Sequence, residues 1–129
     1  MNSVTLALSP GEVIDRLTIL ELKVAHAPEG SARDRVEAER DRLKQALQTV
    51  SDLESVATLT ADLAGINGQL WDVEDALRAH EVRQDFGPAF VAHARSVYVL
   101  NDQRAALKRA IDVALGAVIR DEKVYAGGV

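Results

Sequence analysis

The sequence predicts an all-α protein, an antiparallel four-helix bundle with two short and two long helices. Apolar residues recur at three- and four-residue spacing along most of the chain, as on the buried face of a helix. Signals for helix starts divide the chain into four segments. Aromatic residues make up only 4% of the 129 residues, so the core is built from Leu, Val, Ile and Ala, which suit helices. This length fits one core, and residues 1–129 are therefore assigned to a single helical domain.

The first helix has the clearest start signal. Ser9-Pro10-Gly11-Glu12 combines a capping serine, a proline at the first helical position and a capping box, and it predicts a helix to about Ala27. Before it, residues 1–8 alternate apolar and polar side chains, so they are expected to form an extended segment lying against the bundle. The remaining helices are expected from Ser31, as the cap, to about Thr49; from the capping box Ser51-Asp52-Leu53-Glu54 to about Arg83; and from Pro88 to Gly116 or Arg120. Residues 121–129 are expected to be a frayed tail.

The third helix carries a seam that predicts association. Its apolar residues follow the alternating three- and four-residue spacing of a coiled coil: Val56, Leu59, Leu63, Ile66, Leu70, Val73 and Leu77. Two short helices cover only part of a long hairpin, so the exposed remainder predicts a homo-oligomer. Gly65 and Gly68 lie within the seam and indicate either a bend or a close helix crossing.

Composition excludes several classes of protein. The net charge is −5 and the basic residues are dispersed among acidic ones, which argues against nucleic-acid binding. The chain has no cysteine, and this excludes disulfides, thiolate catalysis and Cys-ligated zinc and fits a reducing cytoplasm. No signal peptide and no apolar run long enough to span a bilayer is recognised, so a cytoplasmic protein without membrane contact is expected.

The strongest candidate site lies on the fourth helix. Asn101, Arg104 and Lys108 fall inside the apolar stripe that also carries Val97 and Ile111, so three polar side chains point toward the interior. Buried cations need an anion nearby. Two interpretations stay open: a ligand phosphate or carboxylate lies between the cations, or Glu21, Glu74 or Asp75 neutralises them in a structural network.

The third helix adds a second group of candidates. Trp71, the only tryptophan, shares a face with Asn67 and Glu74, and its ring either stacks on a sugar or base or fills the core. Tyr98 lies one turn before Asn101, and its hydroxyl joins the site or anchors to a backbone carbonyl. The complete set of candidate ligand-binding residues is Arg104, Lys108, Asn101, Trp71, Asn67, Glu74, Glu21 and Tyr98. No catalytic residue, metal ligand or cofactor is assigned.

Four stretches of the chain are similar to a small all-helical bacterial family known as a domain of unknown function. They are SPGEVIDRLTILELK, NGQLWDVEDALR, DFGPAFVAHARSVYVLNDQRAALKRAID and DEKVY, and they span nearly the whole chain. Members of that family usually have Lys in place of Arg16 and Asn in place of Asp112, and the second difference is expected to change what neighbours Lys108. The family sometimes accompanies genes for sugar transfer and surface polysaccharide, so the resemblance implies a sugar or nucleotide connection and no activity.

These observations favour a non-catalytic binding module for a small anionic ligand, either a sugar phosphate or a nucleotide. One alternative is a metal-dependent hydrolase of nucleotides or sugar nucleotides, with Mg²⁺ held by acidic residues of the first and third helices: Glu12, Asp15, Glu21, Glu74 and Asp75. Another alternative is a structural oligomerisation module. A catalytic triad of Ser, His and Asp, a glycine-rich phosphate loop and an HExxH motif are all absent from the sequence, so whether it is an enzyme stays open.

Overall fold

The computed structural model describes residues 2–118, and the secondary structure within that range is entirely helical. Two short helices of 17 residues are followed by two long helices of 27 residues, which confirms the predicted all-α class with two short and two long helices. The bounds are α1 Pro10–His26, α2 Ser31–Leu47, α3 Ala57–Arg83 and α4 Pro88–Ala114, with a 3₁₀ helix at Leu53–Val56. The antiparallel orientation of the whole bundle stays a prediction. The predicted tail lies outside the described residues, and the predicted continuation of α4 to Gly116 or Arg120 is wrong, because α4 ends at Ala114 and residues 115–118 are not helical.

The start of α1 forms as predicted: Ser9 Oγ accepts a hydrogen bond from the Glu12 amide at 3.1 Å, and Pro10 is the first helical residue. The predicted cap of α2 is wrong. Gly30, with φ of 148°, holds the capping position, and Ser31 is already inside the helix.

The predicted capping box of α3 is also wrong, although α3 ends at Arg83 as expected. Asp52 takes a left-handed conformation with φ of 63°, which asparagine and aspartate tolerate better than most residues. The chain then makes the 3₁₀ helix, and α3 starts only at Ala57, without a side-chain cap. The other end of the hairpin is simpler, because α4 begins at Pro88 as predicted and ends at Ala114, just before Gly116 with φ of 66°.

Helix α1 is the centre of the packing. It packs against α2, α3 and α4, whereas α2 packs mainly against α1 and joins the core through Leu47. The long helices α3 and α4 form the most extensive pair. The buried core joins residues of every helix and consists of Ile14, Leu47, Val56, Leu63 and Ile111.

The seam of α3 is partly used inside the monomer. Val56, Leu63 and Leu70 are buried, and the other seam residues are half-buried. Neither Gly65 nor Gly68 marks a close crossing, because a Cβ atom on either would meet no atom within 4 Å. Both lie within one continuous helix.

The N-terminal segment corrects another expectation. Residues 2–9 have no regular secondary structure, and the expected packing of this segment against the bundle is not found for Val4 and Leu6, which are exposed. Among the helices described, none combines the length and the apolar character required to cross a membrane.

Candidate functional site

Polar contacts join α1 to α4 in a row that we call the α1–α4 polar row. Its three pairs are Gly11 with Asp112, Glu12 with Lys108, and Asp15 with Arg104. The α1 partners ascend in number as the α4 partners descend, so the two helices pass each other in opposite directions along this row. All three pairs are long-range contacts, and together they fix the register of α1 against α4.

The pair of Asp15 and Arg104 is bidentate. Arg104 Nε donates to Asp15 Oδ1 at 2.8 Å, and Arg104 Nη2 donates to Asp15 Oδ2 at 2.5 Å. The Asp15 side chain is 1% exposed and that of Arg104 is 30% exposed, so the carboxylate is buried between the helices and the Arg104 side chain is partly open to solvent. This fork geometry holds the guanidinium plane in one orientation.

Two further residues complete the surroundings of Asp15. Asn67 of α3 donates from Nδ2 to Asp15 Oδ1 at 2.9 Å and to Thr18 Oγ1 at 2.8 Å. The Thr18 hydroxyl donates to the backbone carbonyl of Asp15 at 2.7 Å. Burial raises the pKa of Asp15, but hydrogen bonds from Arg104 and Asn67 outweigh burial and hold this pKa below its ordinary value. Asp15 is therefore a charged carboxylate at neutral pH.

The pair of Lys108 and Glu12 is short and less buried. Lys108 Nζ lies 2.6 Å from Glu12 Oε2, and Arg16 Nε lies 3.1 Å from Glu12 Oε1. Burial raises the pKa of Glu12, but the hydrogen bonds from Lys108 and Arg16 outweigh it, so the pKa is lowered. Asp112, the residue expected to alter the surroundings of Lys108, accepts the Gly11 amide at 2.7 Å.

Beside the polar row, α1, α3 and α4 enclose a cavity of about 390 Å³, which we call the three-helix cavity. A cavity of this size is within the usual range for small-molecule sites. Its apolar wall consists of Ile19, Leu22, Leu70 and Trp71. Its polar wall consists of Lys23, Asn67, Glu74, Arg78, Asn101 and Arg104.

Trp71 is supported from outside the cavity. Its ring stacks on His26, with ring centroids 4.5 Å apart and planes inclined by 27°. The indole Nε1 is buried and has no hydrogen-bond partner in the described chain. Because that atom has no accessible surface, Trp71 presents ring carbons to the cavity, and such a surface suits the apolar face of a sugar or base.

Five predicted site residues meet at the three-helix cavity: Asn67, Trp71, Glu74, Asn101 and Arg104. Lys108 is buried in the polar row and does not line the cavity. Tyr98 is 56% exposed and lies outside it, and Glu21 lines a different groove, between α1 and α3.

The predicted anionic partners of the two cations were wrong. Glu21 and Glu74 are exposed, and the partners are Asp15 for Arg104 and Glu12 for Lys108. The helical wheel gives the direction of a side chain but not the position along the neighbouring helix at which it makes contact.

Sequence reasoning left Asp15, Thr18 and Lys23 out of the candidate ligand site. A signal for two of them existed: Gly11, Asp15, Thr18 and Leu22 follow a 4-3-4 spacing on α1, so small and polar residues share one face. Such a face fits a close, polar helix contact rather than an apolar core.

The predicted alternative of a carboxylate metal site depends on acidic side chains that converge. Across residues 2–118, no three His, Asp or Glu side chains are grouped so that they could hold a metal ion. Two of the proposed ligands, Glu12 and Asp15, are engaged by Lys108 and Arg104.

Comparison with known families and proteins identifies the family to which the chain is similar. A family model described as a family of unknown function, DUF6165, matches residues 4–129. No curated protein and no solved structure matches the chain.

Proposed function

We propose that this chain, which belongs to the DUF6165 family of unknown function, is a non-catalytic binding module for a small anionic ligand. The ligand is a sugar phosphate or a nucleotide held in the three-helix cavity. One observation carries the proposal: three cationic side chains, two amides and a tryptophan ring line one cavity. This combination provides charge, orientation and an apolar wall within one enclosed space.

The distribution of charge supports an anion. The protein has a net charge of −5, yet Lys23, Arg78 and Arg104 line the cavity, and among residues 2–118 Glu74 is the only carboxylate in its wall. Asp15 neutralises Arg104 from behind and at the same time orients its guanidinium. Lys23 and Arg78 are exposed, so an incoming phosphate reaches them without a rearrangement of the bundle.

The polar wall also suits a hydroxylated ligand. Asn101 of α4 and Asn67 of α3 both line the cavity, and the Glu74 carboxylate in the same wall is an acceptor for hydroxyl groups. Trp71 adds an apolar surface for the ring of a sugar or base.

A calorimetric titration tests the proposal. Ribose 5-phosphate, glucose 1-phosphate, AMP and UMP are titrated into the wild-type protein, and the emission of Trp71, the only tryptophan, reports binding independently. We expect at least one of these compounds to bind and to change that emission. The double variant Lys23→Gln, Arg78→Gln is expected to weaken binding by about tenfold, since exposed charge pairs contribute up to about 1 kcal/mol each.

The matched control removes charge elsewhere. The double variant Arg42→Gln, Lys44→Gln changes the net charge equally on exposed positions of α2, and no residue of α2 lines the three-helix cavity among the residues described. It is expected to bind as the wild type does. Equal weakening by both double variants would point to the overall charge and would contradict the assignment of the cavity.

Addition of Mg²⁺ or a chelator separates binding from hydrolysis. A binding module holds its ligand equally well in both conditions and returns it intact. Release of phosphate or of a nucleoside monophosphate from a nucleotide or sugar nucleotide, with Mg²⁺ required, would instead establish the hydrolase.

A further inference from the structure

The orientation of the Asn67 amide follows from its neighbours. The side chain is 4% exposed and touches the ionised carboxylate of Asp15, which accepts hydrogen bonds and has none to donate. Its second contact is Thr18 Oγ1, whose proton is directed to the Asp15 carbonyl at 2.7 Å. Both neighbours therefore require an N–H from Asn67, and Nδ2 is the amide atom that faces them.

This arrangement decides which atom remains for the cavity. Both Nδ2 hydrogens of Asn67 are used, at 2.9 Å and 2.8 Å, and the Oδ1 atom makes no hydrogen bond to any residue in the range 2–118. Asn67 also lines the three-helix cavity, whereas Asp15 and Thr18 do not. The side chain is thus an almost fully buried acceptor, fixed in orientation and lacking a donor.

We propose that Asn67 Oδ1 accepts a hydrogen bond from a hydroxyl group of the ligand, so that the cavity selects phosphorylated sugars over phosphate esters without hydroxyl groups. This inference rests on the proposed function. Asp15 is a positioning residue for recognition of both the hydroxyl and the phosphate. Its Oδ1 accepts hydrogen bonds from Asn67 and Arg104, and its Oδ2 accepts one from Arg104. The same carboxylate thus orients the hydroxyl acceptor and the guanidinium.

The physical basis of the selection is the cost of an unpaired acceptor. A ligand with a hydroxyl at this place replaces the water that Oδ1 would otherwise contact, and it restores the hydrogen bond. An alkyl chain at the same place removes the water and gives nothing in return. The preference is therefore opposite to the one expected from apolar burial, which would favour the alkyl chain.

Two probes with the same number of carbon atoms provide the test: ribose 5-phosphate and pentyl phosphate. Calorimetry on the wild-type protein is expected to show at least about tenfold tighter binding of ribose 5-phosphate. Because this comparison uses the unmodified chain, it does not depend on whether a variant folds. Equal affinities, or tighter binding of pentyl phosphate, would overturn the inference and leave the proposed binding of phosphate esters standing.

The variant Thr18→Val tests the positioning of the amide. Valine has nearly the same shape as threonine but lacks the Oγ1 that accepts a hydrogen bond from Asn67, so one of the two acceptors that orient the amide is lost and Asp15 alone holds it. We expect the preference for ribose 5-phosphate to fall by at least about threefold while pentyl phosphate binds as before. A purely structural role for Thr18 would weaken both probes equally, and that result would contradict the positioning of the amide. If no phosphorylated compound binds the wild type, the proposed function fails and the selection fails with it.

Discussion

Gly11 of α1 lies directly against Asp112 of α4, with its amide 2.7 Å from Asp112 Oδ1. A Cβ atom on Gly11 would lie 2.8 Å from that oxygen and would overlap the Lys108 carbonyl oxygen. The Asp112 side chain is fully buried, so neither partner is free to withdraw into solvent. The close approach of α1 and α4 therefore requires glycine at this position.

Replacement of Gly11 by Ala is expected to lower the free energy of unfolding by about 2–3 kcal/mol, because the added methyl group meets backbone and a buried carboxylate. Urea denaturation followed by circular dichroism measures the change. A stability equal to or above that of the wild type would show that the two helices separate easily and that the polar row does not fix their register.

The mid-helix glycines of α3 are expected to behave in the opposite way. Gly65→Ala and Gly68→Ala meet no atom within 4 Å, so the higher helix propensity of alanine is expected to raise the free energy of unfolding by about 0.5–1 kcal/mol for each. The same denaturation experiment serves as the matched comparison for Gly11→Ala. A loss of stability in either variant would indicate that this glycine packs closely against another chain, because no such contact exists within the monomer.

The pair of Arg104 and Asp15 predicts non-additive substitutions. Arg104→Met leaves the Asp15 carboxylate buried without its main cation, and we expect a loss of about 3 kcal/mol, the lower end for a buried pair because Arg104 is partly exposed. The double variant Arg104→Met, Asp15→Leu removes both charges and is expected to recover at least half of that loss. Additive losses in this double-mutant cycle would mean that the two residues act independently.

Acid is expected to destabilise the protein through the two carboxylates of the polar row. The pKa values of Glu12 and Asp15 are lowered in the folded state, so the ionised forms favour folding above the unfolded-state values, which lie near 4. Their contribution is complete at neutral pH, decreases from about pH 5 and is lost as the pH falls through the folded-state values.

A series of urea denaturations between about pH 7 and pH 3 measures this loss. Asp15→Asn is expected to be less stable at neutral pH and to show a shallower decrease toward acid. The control Asp75→Asn removes an exposed carboxylate and is expected to keep the wild-type slope. If Asp15→Asn kept the wild-type slope, the loss of stability in acid would not come from Asp15 of the α1–α4 polar row.

Self-association stays a prediction, but the fold points to a different surface for it than the α3 seam. Much of the α3 seam is covered within the monomer, whereas Val82, Phe86 and Val91 at the turn between α3 and α4 are exposed. Light scattering at micromolar concentration is expected to give at least twice the chain's mass of 14.0 kDa. Serine at these three positions is then expected to yield the monomer. A monomeric wild type would refute association through either surface.

The four helices and the polar character of the α4 face were predictable from local sequence pattern alone. Pro10 and Pro88 start helices where predicted, and Arg104 and Lys108 lie at the helix interface as their position in an apolar stripe indicated. These features depend on neighbours one or two turns away, and a linear pattern contains that information. The same pattern placed Asn67, Trp71 and Glu74 on one side of α3, and all three line the cavity.

The pairs of residues across helices became known only from the packing of the folded chain. Partner choice depends on the register and separation of helices that are far apart in sequence, and helical periodicity defines neither. Arg104 therefore meets Asp15 rather than Glu21 or Glu74. For the same reason the sequence did not show that the close crossing is at Gly11 rather than at the glycines of α3. A side chain has room at the α3 glycines, whereas the packing of α4 against Gly11 leaves no room for one.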